Sequence, residues 1–208
     1  MDHFWQDVKG FFNFPELYSA IVRWAQDGDR FVEVGCYLGQ SAAYMIVEIE
    51  NSGKKISFDV VDTFKGNPGV DFMLKLAEQQ GGSFRHVFEE TMRKYGVLDR
   101  VGIYEMLSTD AAECFDDESL AFVFIDGNHE YDYVLADLRA WWSKVKVGGV
   151  IAGHDYYDKN PLLGGCMVKS AVDGFFGIKD RSAEIKKLLG LDLRGRRLGQ
   201  CWVEPRVI

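Results

Sequence analysis

The chain has 208 residues, of which 47% are hydrophobic and 27% charged, the balance of an ordinary globular protein long enough to bury a full α/β core. Its formal net charge of −8 argues against nucleic acid as the main partner, because phosphate binding needs a basic face. No apolar stretch approaches the roughly eighteen or more residues of a membrane span, and MDHFWQDVKGFF lacks the apolar core of a signal peptide. Four scattered cysteines (Cys36, Cys114, Cys166, Cys201) form no CxxC pair, so reduced thiols and a cytoplasmic setting are expected.

In chain order, Pro15–Gln26 reads as a helix, with proline at its first position and Leu17, Ile21, Val22 and Trp24 on one side. Arg30–Val34 reads as a buried strand and Ser41–Glu50 as the helix that follows it. Ile56–Val61 is a second strand. Residues 65–95 exceed one crossover helix, and their GNPG and QQGGS turns predict extra helices that could form a lid. Val101–Met106 is a third strand, with a helix over Thr109–Phe115. Ala121–Ile125 is a fourth strand, leading to a helix at Tyr131–Trp142, and Gly149–Ala152 is a fifth. Met167–Phe176 and Ser182–Leu189 read as helices, and Gln200–Val203 as a short strand at the sheet edge. Strands alternating with helices predict a Rossmann-like, doubly wound, mostly parallel sheet covered on both faces. One domain is expected over 1–208, with 65–95 and 160–198 as acceptor-binding elements.

The run Glu33-Val34-Gly35-Cys36-Tyr37-Leu38-Gly39 spells ExGxxxG between a strand and a helix. Gly35 allows a tight turn and close approach to the backbone, and Gly39 and Ser41 stand where free N–H groups open the helix. A pyrophosphate site favours GxGxxG. Here Cys36, Tyr37 and Leu38 intervene, so a ligand without phosphates fits better. S-adenosylmethionine is such a ligand, and Glu33 can face its cationic part. Asp62, at the carboxyl edge of the second strand, is placed to accept from ribose hydroxyls, whereas Asp59 lies mid-strand. Thr63 and Ser108, at the same edge, complete the candidate donor-binding set with Tyr37.

Two apolar strands break into polar runs, FVFIDGNHEY and VIAGHDYY, and neighbouring strands should bring these together. An acceptor hydroxyl needs a base or a metal before it becomes a nucleophile. His129 suits the base role. Asp126, His154 and Asp155 offer a ligand set for a divalent ion. An all-oxygen set would favour Mg²⁺, and His154 widens the choice towards Mn²⁺. Phe64, Phe72 and Tyr156 are candidates for a stacking pocket, although such residues are more often core.

The combined pattern of FVEVGCYLGQSA, FDVVDTF, STDAAECFDDESLAFVFIDGNHEY, DLRAWWSKVKVGGVIAGHDY and VKSAVDGFF resembles Methyltransferase family 24, over roughly Phe31 to Phe176. That family includes antibiotic-sugar O-methyltransferases. The resemblance implies a seven-stranded class I fold, S-adenosylmethionine held by the Glu33–Ser41 loop and Asp62, and O-methylation of a small acceptor around Asp126 and His154-Asp155. It implies Asp126, His154 and Asp155 as metal ligands. It places His129 where the catechol enzymes carry a basic lysine. Two positions depart from the pattern: His154 replaces a carboxylate, and Asn128 stands where the sugar enzymes have their base. A homodimer is compatible with such a family, but no seam is legible. A nicotinamide-dependent oxidoreductase is disfavoured by the glycine spacing and by the lack of any tyrosine with a lysine four residues on. A non-catalytic binding protein on the same fold is the other alternative.

Overall fold

The computed structural model describes residues 1–159, 166–192, 194–195 and 197–207. Its centre is a seven-stranded sheet in the order β3-β2-β1-β4-β5-β7-β6. Strands β1 (Arg30–Val34), β2 (Ser57–Asp62), β3 (Gly102–Glu105), β4 (Leu120–Ile125) and β5 (Val145–Gly153) run parallel. β7 (Cys201–Pro205) returns antiparallel to β5, and β6 (Arg197–Leu198) pairs antiparallel to β7. This is the doubly wound arrangement that alternating strands and helices predict.

Period-two alternation decides which residues face which helices. Phe31 of β1 with Phe122 and Phe124 of β4 joins the core under α1 (Pro15–Trp24), α2 (Gln40–Ser52), α4 (Arg85–Lys94) and α8 (Ser182–Leu189). Val32, Val34, Val123 and Ile125 join the opposite core under α5 (Ser108–Ala112), α6 (Tyr131–Trp142) and α7 (Val168–Phe176). All six residues of β4 are buried, as its central position demands. Burying one aromatic or aliphatic side chain of this kind contributes about 1.5–3 kcal/mol.

Most boundaries differ from the sequence expectation by a residue or two. The largest difference is β5, which begins at Val145 rather than Gly149. Gly148, at φ +83°, lets the strand shift register against β4, so that Leu120 pairs with Val145 and Phe122 with Val150. The apolar pattern of VKVGG hides this because its two glycines read as a stop. The 65–95 segment contains α3 (Asp71–Gln79) and α4, the extra helices foreseen there. Residues 160–165, part of the other anticipated acceptor element, lie outside the described residues. No helix among the described residues is long and apolar enough to cross a membrane.

The register fixes the site. Val61, Val34, Ile125 and Gly153 lie level across β2, β1, β4 and β5. The residues that follow them, Asp62, Gly35, Asp126 and His154, therefore emerge along one carboxyl edge.

Candidate active site at the carboxyl edge of the sheet

The strand ends are sewn together by backbone. Gly35 N–H donates to Val61 O at 2.8 Å, Asp126 N–H to Val34 O at 2.7 Å, and His154 N–H to Ile125 O at 3.2 Å. Gly35 has φ +86°, and a methyl group there would overlap the Asp126 carbonyl oxygen. Its glycine is thus required by the approach of β4 as well as by the turn. Gly39, at φ +88°, caps α2, and a side chain there would strike Met92 and Phe88 of α4.

Glu33 shares the face of Phe31 and is buried beneath α1 and α2. One carboxylate oxygen accepts from the Ser41 hydroxyl, and the other, Oε2, is buried without a partner. Burial, with the nearby Asp126 and Asp62 charges, pushes the Glu33 carboxyl up to about 8, while the Ser41 hydrogen bond opposes the shift. Tyr18 of α1 is fully buried beside it, a neighbour that no motif in the sequence marks.

Asp62 is an organiser of the loop. Its Oδ2 accepts from the N–H groups of Cys36 (3.0 Å) and Tyr37 (2.9 Å), and its Oδ1 from that of Phe64 (2.7 Å). Burial raises its pKa and these backbone donors oppose the rise. Three of its roughly four acceptor positions are filled, leaving one for a hydroxyl. Tyr37 and Phe64 adopt φ +48° and +54°, conformations that non-glycine residues hold only where the surroundings impose them. Thr63 is half-buried and its hydroxyl accepts from Lys65 N–H at 3.4 Å.

Ser108 opens α5, and its hydroxyl accepts from Trp141 Nε1 at 2.8 Å, a partner the sequence did not reveal. Asp137 of α6 is buried close by. Burial pushes its carboxyl up to about 6, against a hydrogen bond with Ser108.

The polar runs after β4 and β5 do converge. Ligand atoms of Asp126, His154 and Asp155 all lie within 4.8 Å of one another. His129 bridges the two carboxylates, with Nε2 at 3.3 Å from Asp126 Oδ1 and Nδ1 at 3.3 Å from Asp155 Oδ2. Burial disfavours the His129 cation, but Asp126 and Asp155 outweigh it and raise the pKa. His154 is likewise raised, with Asp155 and Asp126 prevailing over burial. Asp155 itself is lowered: burial opposes, and His154 and His129 prevail. Asp155 sits at φ +52°, a third strained residue on the same edge. Asn128 accepts from Glu130 N–H at 2.8 Å, turning the chain into α6.

Asn13, also missed, lies on the segment before α1, with Oδ1 at 2.9 Å from His154 Nε2. Of the stacking candidates, Phe64 and Tyr156 are core, while Phe72 is about half exposed and packs edge-on against Tyr37 and Phe11. Two grooves, of about 430 and 590 Å³, flank Tyr37. Their linings do not include Asp126, His129, His154 or Asp155, so it is the titratable cluster that marks the chemistry.

A sheet of this order, with a glycine turn after β1 and an acid after β2, defines a class I, Rossmann-like S-adenosylmethionine-dependent methyltransferase. The methyltransferase domain model Methyltransf_24 matches residues 32–156, more than half the chain, and the chain belongs to that family. Among solved structures, the O-methyltransferase NovP is similar at a TM-score of 0.62 and 20% identity, covering 93% of this chain and 79% of that one. A candidate caffeoyl-CoA O-methyltransferase from Staphylococcus aureus gives a TM-score of 0.54 at 15% identity, covering 85% and 78%. SMU.1697c, a candidate methyltransferase from Streptococcus mutans solved with S-adenosylhomocysteine, gives 0.52 at 10% identity, covering 79% and 82%. At these identities the likeness is one of fold.

Proposed function

We propose that the protein is a single-domain, cation-assisted O-methyltransferase that methylates a hydroxyl of a small acceptor, of sugar or phenol type. The observation that carries this reading is the convergence of Asp126, His129, His154 and Asp155 beside the glycine turn, at the edge where open α/β sheets bind ligands.

The residues present fit the methyl donor. The unpartnered, buried Glu33 Oε2 suits the ammonium group of its amino-acid end, the remaining acceptor position of Asp62 suits a ribose hydroxyl, and the N-terminal turn of α2 lines the crevice. Gly35, Tyr37, Gly39, Ser41 and Thr63 shape that crevice, and Ser108 bounds it at the β3 end. A sulfonium methyl group is the electrophile that the donor supplies.

Asp126, His154 and Asp155 fit a divalent cation as two carboxylates and one imidazole, whose chemistry would be to lower the pKa of a bound acceptor hydroxyl. His129 is the base. It lies against both carboxylates, ready to take the hydroxyl proton once their charge is neutralised and its own cationic form is no longer favoured. The fold's part is to hold nucleophile and methyl carbon in line.

The test is transfer of radiolabelled methyl from S-adenosylmethionine to a panel of sugar and phenol hydroxyls, with Mn²⁺ or Mg²⁺ and with chelator. Transfer that chelator abolishes and Mn²⁺ or Mg²⁺ restores supports the reading. Transfer to nitrogen or carbon acceptors alone, or transfer indifferent to chelator, overturns it.

A further inference from the structure

His154 has a specific setting for an imidazole in an otherwise carboxylate site. It is 7% exposed, and the ring of Phe14 packs against it at 5.1 Å between centroids. Its Nε2 lies 2.9 Å from Asn13 Oδ1. Asn13 Nδ2 in turn donates to Gln200 Oε1 at 3.1 Å. The Asn13 oxygen faces the ring and an amide oxygen only accepts, so in this arrangement Nε2 carries the proton. The other ring nitrogen, Nδ1, faces Asp155 Oδ1 at 3.4 Å, on the side of the cluster.

We propose that Asn13 is a positioning residue: it holds His154 in the Nε2–H form, presents Nδ1 as the ligand atom, and thereby tunes the site towards transition ions of the Mn²⁺ class over Mg²⁺. The inference rests on the reading of Asp126, His154 and Asp155 as cation ligands. A ligating histidine needs its second nitrogen held by an acceptor, which fixes the tautomer and ring orientation. Asn13 supplies that acceptor from the opposite end of the chain, and Phe14 fixes the ring plane. Imidazole suits transition ions, whereas Mg²⁺ prefers oxygen. The ring edge, Nδ1 inward and Nε2 outward, is therefore set before any ion arrives.

The experiment uses full-length protein with ¹⁵N-labelled histidine, and divalent-ion titrations of the wild type, N13A, N13D and H154D. In long-range ¹H–¹⁵N spectra the His154 signals, identified by their loss in H154D, should show a protonated Nε2 before and after Zn²⁺, with only Nδ1 shifting. Calorimetry should give wild-type Mn²⁺ affinity at least about tenfold above that for Mg²⁺. N13A should lose about 10–100-fold in Mn²⁺ affinity, as for other residues that orient a metal ligand. N13D, which keeps an acceptor, should recover it. H154D should turn the preference to Mg²⁺. Wild-type spectra showing ligation through Nε2, or N13A binding Mn²⁺ as tightly as wild type, would overturn this inference alone. Wild-type protein that binds none of these ions would overturn it together with the cation-assisted reading. Should N13A fail to fold, the wild-type spectra and the H154D titration still decide.

Discussion

Asp62 reaches from the end of β2 to the turn after β1 and accepts the backbone N–H of Tyr37 at 2.9 Å, beside that of Cys36 at 3.0 Å. The acid that a sequence reader would give wholly to the ligand is thus also the device that shapes the loop receiving it. Hydrogen bonds to a charged acceptor are worth about 1.5–3 kcal/mol each when one partner is removed. Asp62→Ala should lower stability by about 2–4 kcal/mol and weaken S-adenosylhomocysteine binding at least about tenfold. Denaturant unfolding and calorimetry check the two effects separately, and loss of affinity without loss of stability would show that the loop does not depend on Asp62.

Glu33 should make stability depend on pH. Its folded pKa, about 8, lies above the ordinary carboxylate value. Its contribution is therefore fully present below pH 4.5 and is lost as pH rises through about 8. Glu33→Gln should flatten the fall in melting temperature between about pH 4.5 and pH 8. A cationic ligand beside Glu33 should also favour its ionised form, so binding of S-adenosylhomocysteine near pH 7 should release protons. Calorimetry in buffers of different ionisation enthalpy measures that release, and Glu33→Gln should reduce it.

His129 should govern the rate and leave the fold intact. A base works only when neutral, and Asp126 and Asp155 raise its pKa. A bound cation neutralises those carboxylates and relieves the rise, so the rate should increase with pH and the midpoint should move down as Mn²⁺ is added. His129→Ala should reduce kcat by about 10²–10⁴ and remove this limb of the profile, with the melting temperature little changed. An unchanged profile would assign the limb to another group.

Gly35 and Gly96 should respond differently to alanine. Both have positive φ, +86° and +70°, so each substitution carries backbone strain of about 1–2 kcal/mol. Only at position 35 does the added methyl overlap a neighbouring strand's carbonyl, whereas at position 96 it meets open space. Gly96→Ala should lose about 2–8 °C in melting temperature from strain alone, and Gly35→Ala should lose clearly more than Gly96→Ala. Equal losses would mean that β4 gives way to the intruding methyl.

Much of the scaffold was legible because two-sided burial writes near-continuous apolar strands, such as FVEV and LAFVFI, and because each breaks into polar residues at one edge. Asp126, His129, His154 and Asp155 stood out for that reason. Asn13 and Tyr18 did not. Their place beside His154 and Glu33 comes from tertiary packing of the N-terminal segment, with Asn13 and His154 separated by 141 positions. Ser108 shows the same limit. Its position at the strand edge was readable, but its partner Trp141 depends on how α5 meets α6. The early start of β5 was hidden because glycines that permit a register shift read as a terminator.

A methyl-donor crevice joined to a cation-binding acceptor site has a distinct binding signature, read by calorimetry of the purified protein with S-adenosylhomocysteine and with NADH, each with and without Mn²⁺. Saturable binding of S-adenosylhomocysteine is expected, with no binding of NADH and a separate Mn²⁺ isotherm that Asp126→Ala removes. Binding of NADH alone, or Mn²⁺ binding untouched by Asp126→Ala, would contradict this reading.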